Sequence, residues 1–145
     1  MSERVRQFVM DLAIKPKGQG RPRFAGHAYT PKPTRDYADA LRSEARRVWA
    51  GREPLSGPLA ASITARFALP KSAKGRVYHT QRPDADNVAK AVLDALMPEH
   101  KKRRGERVMT WPGVIMDDAQ IVHLRASKEW SIDGDWLHVC IWSLE

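Results

Sequence analysis

Two short groups of aspartates are the side chains best placed to do chemistry. Asp84 and Asp86 stand two residues apart, just before a stretch with helical spacing of apolar residues, and Asp117–Asp118 follow later. Pro83 favours an extended backbone at Arg82, so a helix should begin after the proline. An extended segment would point both carboxylates of the first group to the same side, where they repel each other unless a cation joins them.

This spacing has two interpretations. In the first, the carboxylates hold a divalent cation, because Mg²⁺ is typically bound by one or two carboxylates plus substrate phosphates, and Asp117 or Asp118 completes the site. In the second, Asp84 or Asp86 caps the helix at its N-terminus and the pair is solvated. The residue types alone leave both interpretations open.

The helix after the first pair is predicted over residues 86–97. Asp86, Lys90 and Asp94 recur at i, i+4 and i+8 on the side opposite the apolar residues. They could form two exposed ion pairs, each worth a few tenths of a kcal/mol. Alternatively, Lys90 lies beside a metal-bound phosphate and stabilises negative charge that develops on it. The predicted buried face consists of Val88, Ala91, Val92 and Ala95.

Composition and charge narrow the class of protein. The chain has 145 residues, which suits one domain with a real core, and no apolar run long enough to cross a membrane. The single cysteine, Cys140, rules out an internal disulfide framework and fits a reducing, cytoplasmic setting. The net charge of +8 is compatible with a nucleic-acid partner, although soluble basic proteins can also carry it.

Basic residues concentrate in three segments, at 15–23, 70–76 and 98–112. The first two are predicted loops rich in Pro or Gly, and the third, with four consecutive basic residues, is predicted to be solvated and mobile. Contacts to a phosphate backbone need charge rather than sequence information, so these segments are candidates for DNA binding. The candidate contacts, with the arginine just before the first aspartate pair, are Lys15, Lys17, Arg21, Arg23, Lys71, Lys74, Arg76, Arg82, Lys101, Lys102, Arg103 and Arg104.

The remaining elements predict an α+β fold, a small and mainly antiparallel mixed sheet of four or five strands with two principal helices. Strands are predicted at 7–14, 59–69, 114–130 and 136–144, the third interrupted or twisted at the aspartate pair, and a helix capped by Thr34 runs to about residue 50. Asp133-Gly134 indicates a hairpin between the last two strands. If the strand is regular at the aspartate pair, Asp118 shares its side with the more apolar residues and Asp117 does not.

The ordered motif D-x-D-N-x-x-K-x-x-x-D-A-L at residues 84–96, followed by the aspartate pair, resembles the RusA family of Holliday-junction resolvases. The basic opening at residues 15–24 is similar to that family's N-terminal segment. The resemblance implies a single RusA-like endonuclease domain over residues 1–145. It also implies a homodimer that depends on Mg²⁺, or Mn²⁺ in its place, and nicks four-way DNA junctions symmetrically.

Carried over position by position, the resemblance implies that Asp84, Asp86 and Asp118 are the metal ligands and that Lys90 is the catalytic lysine. The long basic insert before Gly113 departs from the family pattern. The implied reaction is metal-assisted phosphodiester hydrolysis, and no Ser-His-Asp or Cys-His set in the sequence suggests a covalent route. The alternatives are a basic DNA- or RNA-binding protein without catalysis, and a nuclease of the same chemistry that cuts flaps or forks.

Overall fold

The strand predicted at residues 59–69, in which apolar and polar residues alternate, lies inside the main sheet with a strand on each side. The computed structural model describes residues 6–20, 23–73 and 75–145. Its main sheet contains β1 (Arg6–Leu12), β4 (Leu59–Ala68), β7 (Ile121–Ser131) and β8 (Trp136–Ser143), in the order β1-β8-β4-β7. β8 pairs antiparallel with both β1 and β4, whereas β7 pairs parallel with β4. The predicted mixed, mainly antiparallel sheet is therefore confirmed.

Two helices cover one face of this sheet. They are α1 (Lys32–Trp49) and α2 (Ala85–Leu96), and both are amphipathic, so each buries one side. The apolar faces of the two helices pack against the strand side chains that point toward them, and together these form the core. In this core the rings of Phe8 and Trp49 make an edge-to-face contact, with centroids 5.9 Å apart. The predicted buried residues of α2 are all buried.

Two small hairpins complete the fold. One pairs β2 (Arg23–Phe24) with β3 (Ala28–Tyr29), and the other pairs β5 (Glu99–Arg103) with β6 (Glu106–Trp111). The second hairpin overturns the prediction of a mobile loop at residues 98–112. Its strands are mostly charged, and their few apolar residues do not alternate with polar ones, so they lack the pattern by which a strand is recognised in a sequence.

Two further predictions are wrong for identifiable reasons. Asp133-Gly134 does not close a hairpin, because β7 and β8 lie on opposite sides of β4, and the connection crosses the end of that strand. There Asp135 Oδ1 accepts a hydrogen bond of 2.8 Å from the N–H of Ala68. Helix α1 begins at Lys32 rather than after Thr34, with Pro33 in its first turn, where a missing N–H costs no hydrogen bond.

The predicted interruption at the aspartate pair is present, and it is a 3-10 turn. Residues Asp118–Gln120 form a 3-10 turn, and β7 begins only at Ile121. No helix in the described part of the chain is both long and apolar enough to cross a membrane.

Candidate active site

The first pair of aspartates lies at the N-terminus of α2. Asp84 is the N-cap residue in an extended conformation, and Asp86 lies in the first turn of the helix. Asp84 thus occupies the predicted cap position, but its side chain makes no capping hydrogen bond. Both carboxylates lie at the N-terminal end of the helix, where the helix dipole attracts negative charge.

The loop that leads into this helix is held against the edge strand β7. The His79 ring is buried between Phe67 and Trp130, stacked on the indole with centroids 4.0 Å apart. The indole N–H of Trp130 donates to the Tyr78 carbonyl at 3.1 Å, and Lys128 Nζ donates to the Gln81 carbonyl at 2.7 Å. These contacts fix the backbone just before Asp84.

A basic cleft opens beside Asp84. It has a volume of about 510 Å³, and its lining includes Lys15, Lys17, Arg82, Asp84 and Asn87. The loop of the two lysines is tied to α2 by a hydrogen bond of 3.1 Å from the N–H of Gln19 to the Asn87 carbonyl. Because the cations and the carboxylate share one concave surface, a phosphate could enter there against little net repulsion.

The second pair of aspartates is held by a reciprocal capping arrangement. The Asp117 carboxylate accepts a hydrogen bond of 2.9 Å from the N–H of Ala119, and Gln120 Oε1 accepts from the N–H groups of Asp117 and Met116 at 3.1 and 2.8 Å. Gln120 Nε2 donates to the carbonyls of Leu55 and Gly57 at 3.0 and 3.1 Å. Gln120 therefore uses its whole amide to place this turn.

The segment before this turn is anchored to the C-terminus of α2. The Leu96 carbonyl accepts from the N–H groups of Val114 and Ile115 at 2.8 and 3.2 Å. Gly113 has a positive φ of 86°, and a Cβ there would lie 2.8 Å from the carbonyl oxygens of Leu96 and Ile115. Only glycine fits this close approach, which brings the aspartate turn back beside α2.

Electrostatic interactions show which groups lie close to Asp118. A side-chain hydrogen bond with Asp117, partial burial and repulsion by Asp117 raise the pKa of Asp118. Lys90 acts on the same pKa in the opposite direction, and Asp94 adds to the repulsion. The hydrogen bond from the N–H of Ala119, followed by the one from Asp118, lowers the pKa of Asp117. The two carboxyl groups are thus close enough for each to shift the pKa of the other.

The acidic residues of this region form no salt bridge with any cation that the structure describes. No salt bridge within 4.0 Å involves Asp84, Asp86, Asp94, Asp117 or Asp118 in the described parts of the chain. Lys90 is exposed and likewise forms none there, so the interpretation of helical ion pairs is wrong. In a chain of net charge +8, carboxylates left without such partners remain available to a bound cation.

The donor chemistry fits Mg²⁺, because all the candidate ligands are carboxylate oxygens. The carboxylates do not form a closed ligand set. Within residues 6–20, 23–73 and 75–145, no three His, Cys, Asp or Glu side chains are grouped closely enough to hold a metal ion. Asp118 is brought to Lys90 and Asp94, whereas Asp84 and Asp86 remain at the start of α2.

The predicted DNA contacts divide into two groups, those that the structure describes and those that it does not. The side chains of Lys15, Lys17, Lys71, Arg76 and Arg82, together with those of the block 101–104, are exposed. Salt bridges within the described residues involve none of them. Arg21 and Lys74 lie outside the described residues, as does the side chain of Arg23.

The sequence analysis missed two residues of the site and one side-chain arrangement. Asp94 was visible as part of the helical i+8 spacing, but nothing local shows that Gln120 would fix the aspartate turn. The fold also aligns Cys140, His138 and Asp11, with Cys140 Sγ 3.1 Å from His138 Nε2 and His138 Nδ1 2.5 Å from Asp11 Oδ1. Burial raises the pKa of the Cys140 thiol, which opposes the thiolate that a covalent route needs.

Fold and site together define a small basic α+β domain with carboxylates gathered around one helix. The chain belongs to the RusA family, because the family model described as endodeoxyribonuclease RusA matches residues 13–141. This is a family of Holliday-junction resolvases, hydrolases of DNA phosphodiester bonds that act in recombination. The chain is therefore an enzyme, and the alternative of a non-catalytic binding protein is wrong. No curated protein matches the sequence.

Proposed function

We propose that this enzyme resolves four-way DNA junctions by paired symmetric nicks and depends on Mg²⁺, with Mn²⁺ able to replace it. The observation that carries the proposal is the electrostatic effect of Lys90 on the Asp118 carboxyl. The fold brings these two residues, distant in sequence, close enough for the lysine to act on the pKa of the carboxyl. Both belong to the motif by which the sequence resembles the family, and no salt bridge among the described residues involves either of them.

In this proposal Asp84, Asp86 and Asp118 hold the metal. When bound, Mg²⁺ would supply Lewis-acid stabilisation of the phosphate and lower the pKa of a water molecule. Lys90 is exposed on the side of α2 that carries Asp86 and Asp94, and it stabilises the negative charge on the phosphoryl oxygens. Gln120 and the capping arrangement hold the backbone of the turn that carries Asp118, and Asp94 maintains negative potential next to the Asp118 carboxyl.

The substrate and the assembly follow from the same chemistry. The cleft lined by Lys15, Lys17 and Arg82 receives the backbone of the strand to be cut, next to Asp84. Resolution of a junction requires two opposed nicks, and one chain offers one group of carboxylates. A two-fold homodimer would place two such groups on a two-fold substrate. A cytoplasmic location completes the proposal.

The test compares DNA substrates. Purified protein is incubated with a synthetic four-way junction, a replication fork, a flap and a linear duplex of matched sequence, with Mg²⁺, with Mn²⁺ and with chelator. We expect symmetric nicks in the junction with either metal and none with chelator. Preferential cutting of the fork or flap would overturn the junction assignment but leave the hydrolytic chemistry intact. Cutting in chelator would overturn the role of the metal.

A further inference from the structure

The hairpin of β5 and β6 forms a rigid ribbon. Its connection is a two-residue turn in which Arg104 and Gly105 have positive φ angles of 53° and 78°. Two successive positive φ angles define a type I′ turn, whose twist matches that of the paired strands. Four consecutive cross-strand pairs, from His100–Met109 to Arg103–Glu106, extend the ribbon away from its base. Residues 100–109 are all exposed.

The base of the ribbon is fixed to α1. The Glu99 carboxylate is 3.2 Å from Arg42 and 3.7 Å from Arg46, and it accepts a hydrogen bond of 2.9 Å from the Thr110 hydroxyl. Trp111 is buried, with the Arg46 guanidinium 5.8 Å from its ring centroid. The ribbon is thus an arm of defined direction, and its exposed faces are presented to solvent in a fixed orientation.

The two faces of the ribbon differ in charge. Cross-strand partners share a face, so Lys102 and Arg107 lie directly opposite each other on one face, which carries no acidic residue. Like charges directly opposite each other destabilise a hairpin, unless an anion lies against them. On the other face Arg103 lies opposite Glu106, and Lys101 lies opposite Val108. We call the first the cationic face and the second the compensated face.

His100 adds a directed donor to the cationic face. Its Nδ1 is 3.3 Å from an Arg107 guanidinium nitrogen, and a guanidinium can only donate. Nδ1 therefore accepts this hydrogen bond, which assigns the imidazole proton to Nε2 and leaves an N–H for a second acceptor. Three donors on one face thus suit an acceptor-rich, negatively charged partner.

We propose that the cationic face, through Lys102 and Arg107, binds backbone phosphates of one duplex arm of the branched DNA substrate. A pair of strands about 4.8 Å apart fits a major groove about 12 Å wide, and the long axis of the ribbon can follow it. The ribbon joins the end of α2 to the segment before the aspartate turn, so an arm held there adjoins the site. The inference rests on the proposed nuclease function.

The test compares two double variants with equal loss of charge. Lys102→Ser/Arg107→Ser alters the cationic face, and Lys101→Ser/Arg103→Ser alters the compensated face. Equilibrium binding of a four-way junction is measured over a salt series in chelator, so that no cleavage occurs, after circular dichroism has shown that both variants fold. Each lost phosphate contact lowers the slope of log affinity against log salt by about 0.9. We expect the magnitude of this slope to fall by about 1.8 in the first variant and by less than half of that in the second.

Equal losses in both variants, or no loss in the first, would overturn the assignment of the contact to the cationic face. The Mg²⁺-dependent nicking of the same junction by the wild-type protein separates this outcome from failure of the proposed function. Normal nicking with an unchanged slope in the first variant refutes the ribbon contact alone. A slope reduced as expected, in a protein whose wild-type form does not nick, supports the ribbon contact and refutes the nuclease proposal.

Discussion

Asp117 and Gln120 cap each other across a single 3-10 turn. The Asp117 N–H donates to Gln120 Oε1 at 3.1 Å, and the carboxylate of Asp117 accepts from the N–H of Ala119 within the same turn. The Gln120 amide also donates to the carbonyls of Leu55 and Gly57. The position of Asp118 is therefore set from outside its own segment, by a side chain that does not itself carry charge.

Replacement of Gln120 tests this positioning role. Gln120→Leu leaves the N–H groups of Met116 and Asp117 and the carbonyls of Leu55 and Gly57 without this partner. We expect a loss of about 1–3 kcal/mol in the free energy of unfolding, measured in urea. The single-turnover nicking rate of the folded variant should also fall. Gln120→Glu keeps the two acceptor contacts and should retain more of that rate than the leucine variant; equal rates in both would contradict the role.

The two neighbouring aspartates should differ in their importance for cleavage. Asp118 is half-buried and close to Lys90, whereas Asp117 is exposed and its carboxylate is engaged as a cap. An asparagine at 117 can still accept the bond from Ala119. We therefore expect Asp118→Asn to lose nearly all Mg²⁺-dependent nicking of a four-way junction and Asp117→Asn to keep a substantial fraction. The reverse order of the two rates, in folded variants, would refute the assignment.

This expectation was already available from the sequence, but for a reason that proved wrong. The alternation along a regular strand placed Asp118 on the apolar side, whereas the pair lies at a 3-10 turn that precedes β7. Local patterns located β4, α2 and β8 well, because each buries one side with its own period. Two other features depend on residues that are distant in sequence. One is the connection after β7, which crosses the end of β4, and the other is the contact of Gln120 with Leu55. Local patterns do not encode such contacts.

His79, which is buried in the loop that leads into α2, should make the stability of the fold depend on pH. Burial, with a smaller effect of Lys128, lowers the pKa of His79, so the folded protein favours the neutral imidazole. As the pH falls below about 6.5, the unfolded chain binds a proton that the folded chain resists, and stability decreases. We expect Tm to fall between pH 8 and pH 5, and His79→Phe to weaken this dependence. An identical pH profile in wild type and variant would show that His79 does not contribute.

The oligomeric state follows from the need for two nicks. We expect light scattering to give the mass of a dimer for the free protein, and of a dimer bound to one junction in chelator. A monomer in both states would contradict paired symmetric nicking. Such a result would favour a nuclease that makes one cut at a flap or fork, with the same carboxylates and Lys90.

The most direct test of the metal centre is the behaviour of Asp86→Asn on a four-way junction with Mg²⁺. Asp86 lies in the first turn of α2, has no salt-bridge partner among the described residues, and is removed here without a change in size. We expect no cleavage by the folded variant, and junction binding as tight as in the wild type or tighter, because one negative charge near the phosphates is gone. Cleavage by Asp86→Asn at the wild-type rate would contradict the assignment of this carboxylate to the metal site.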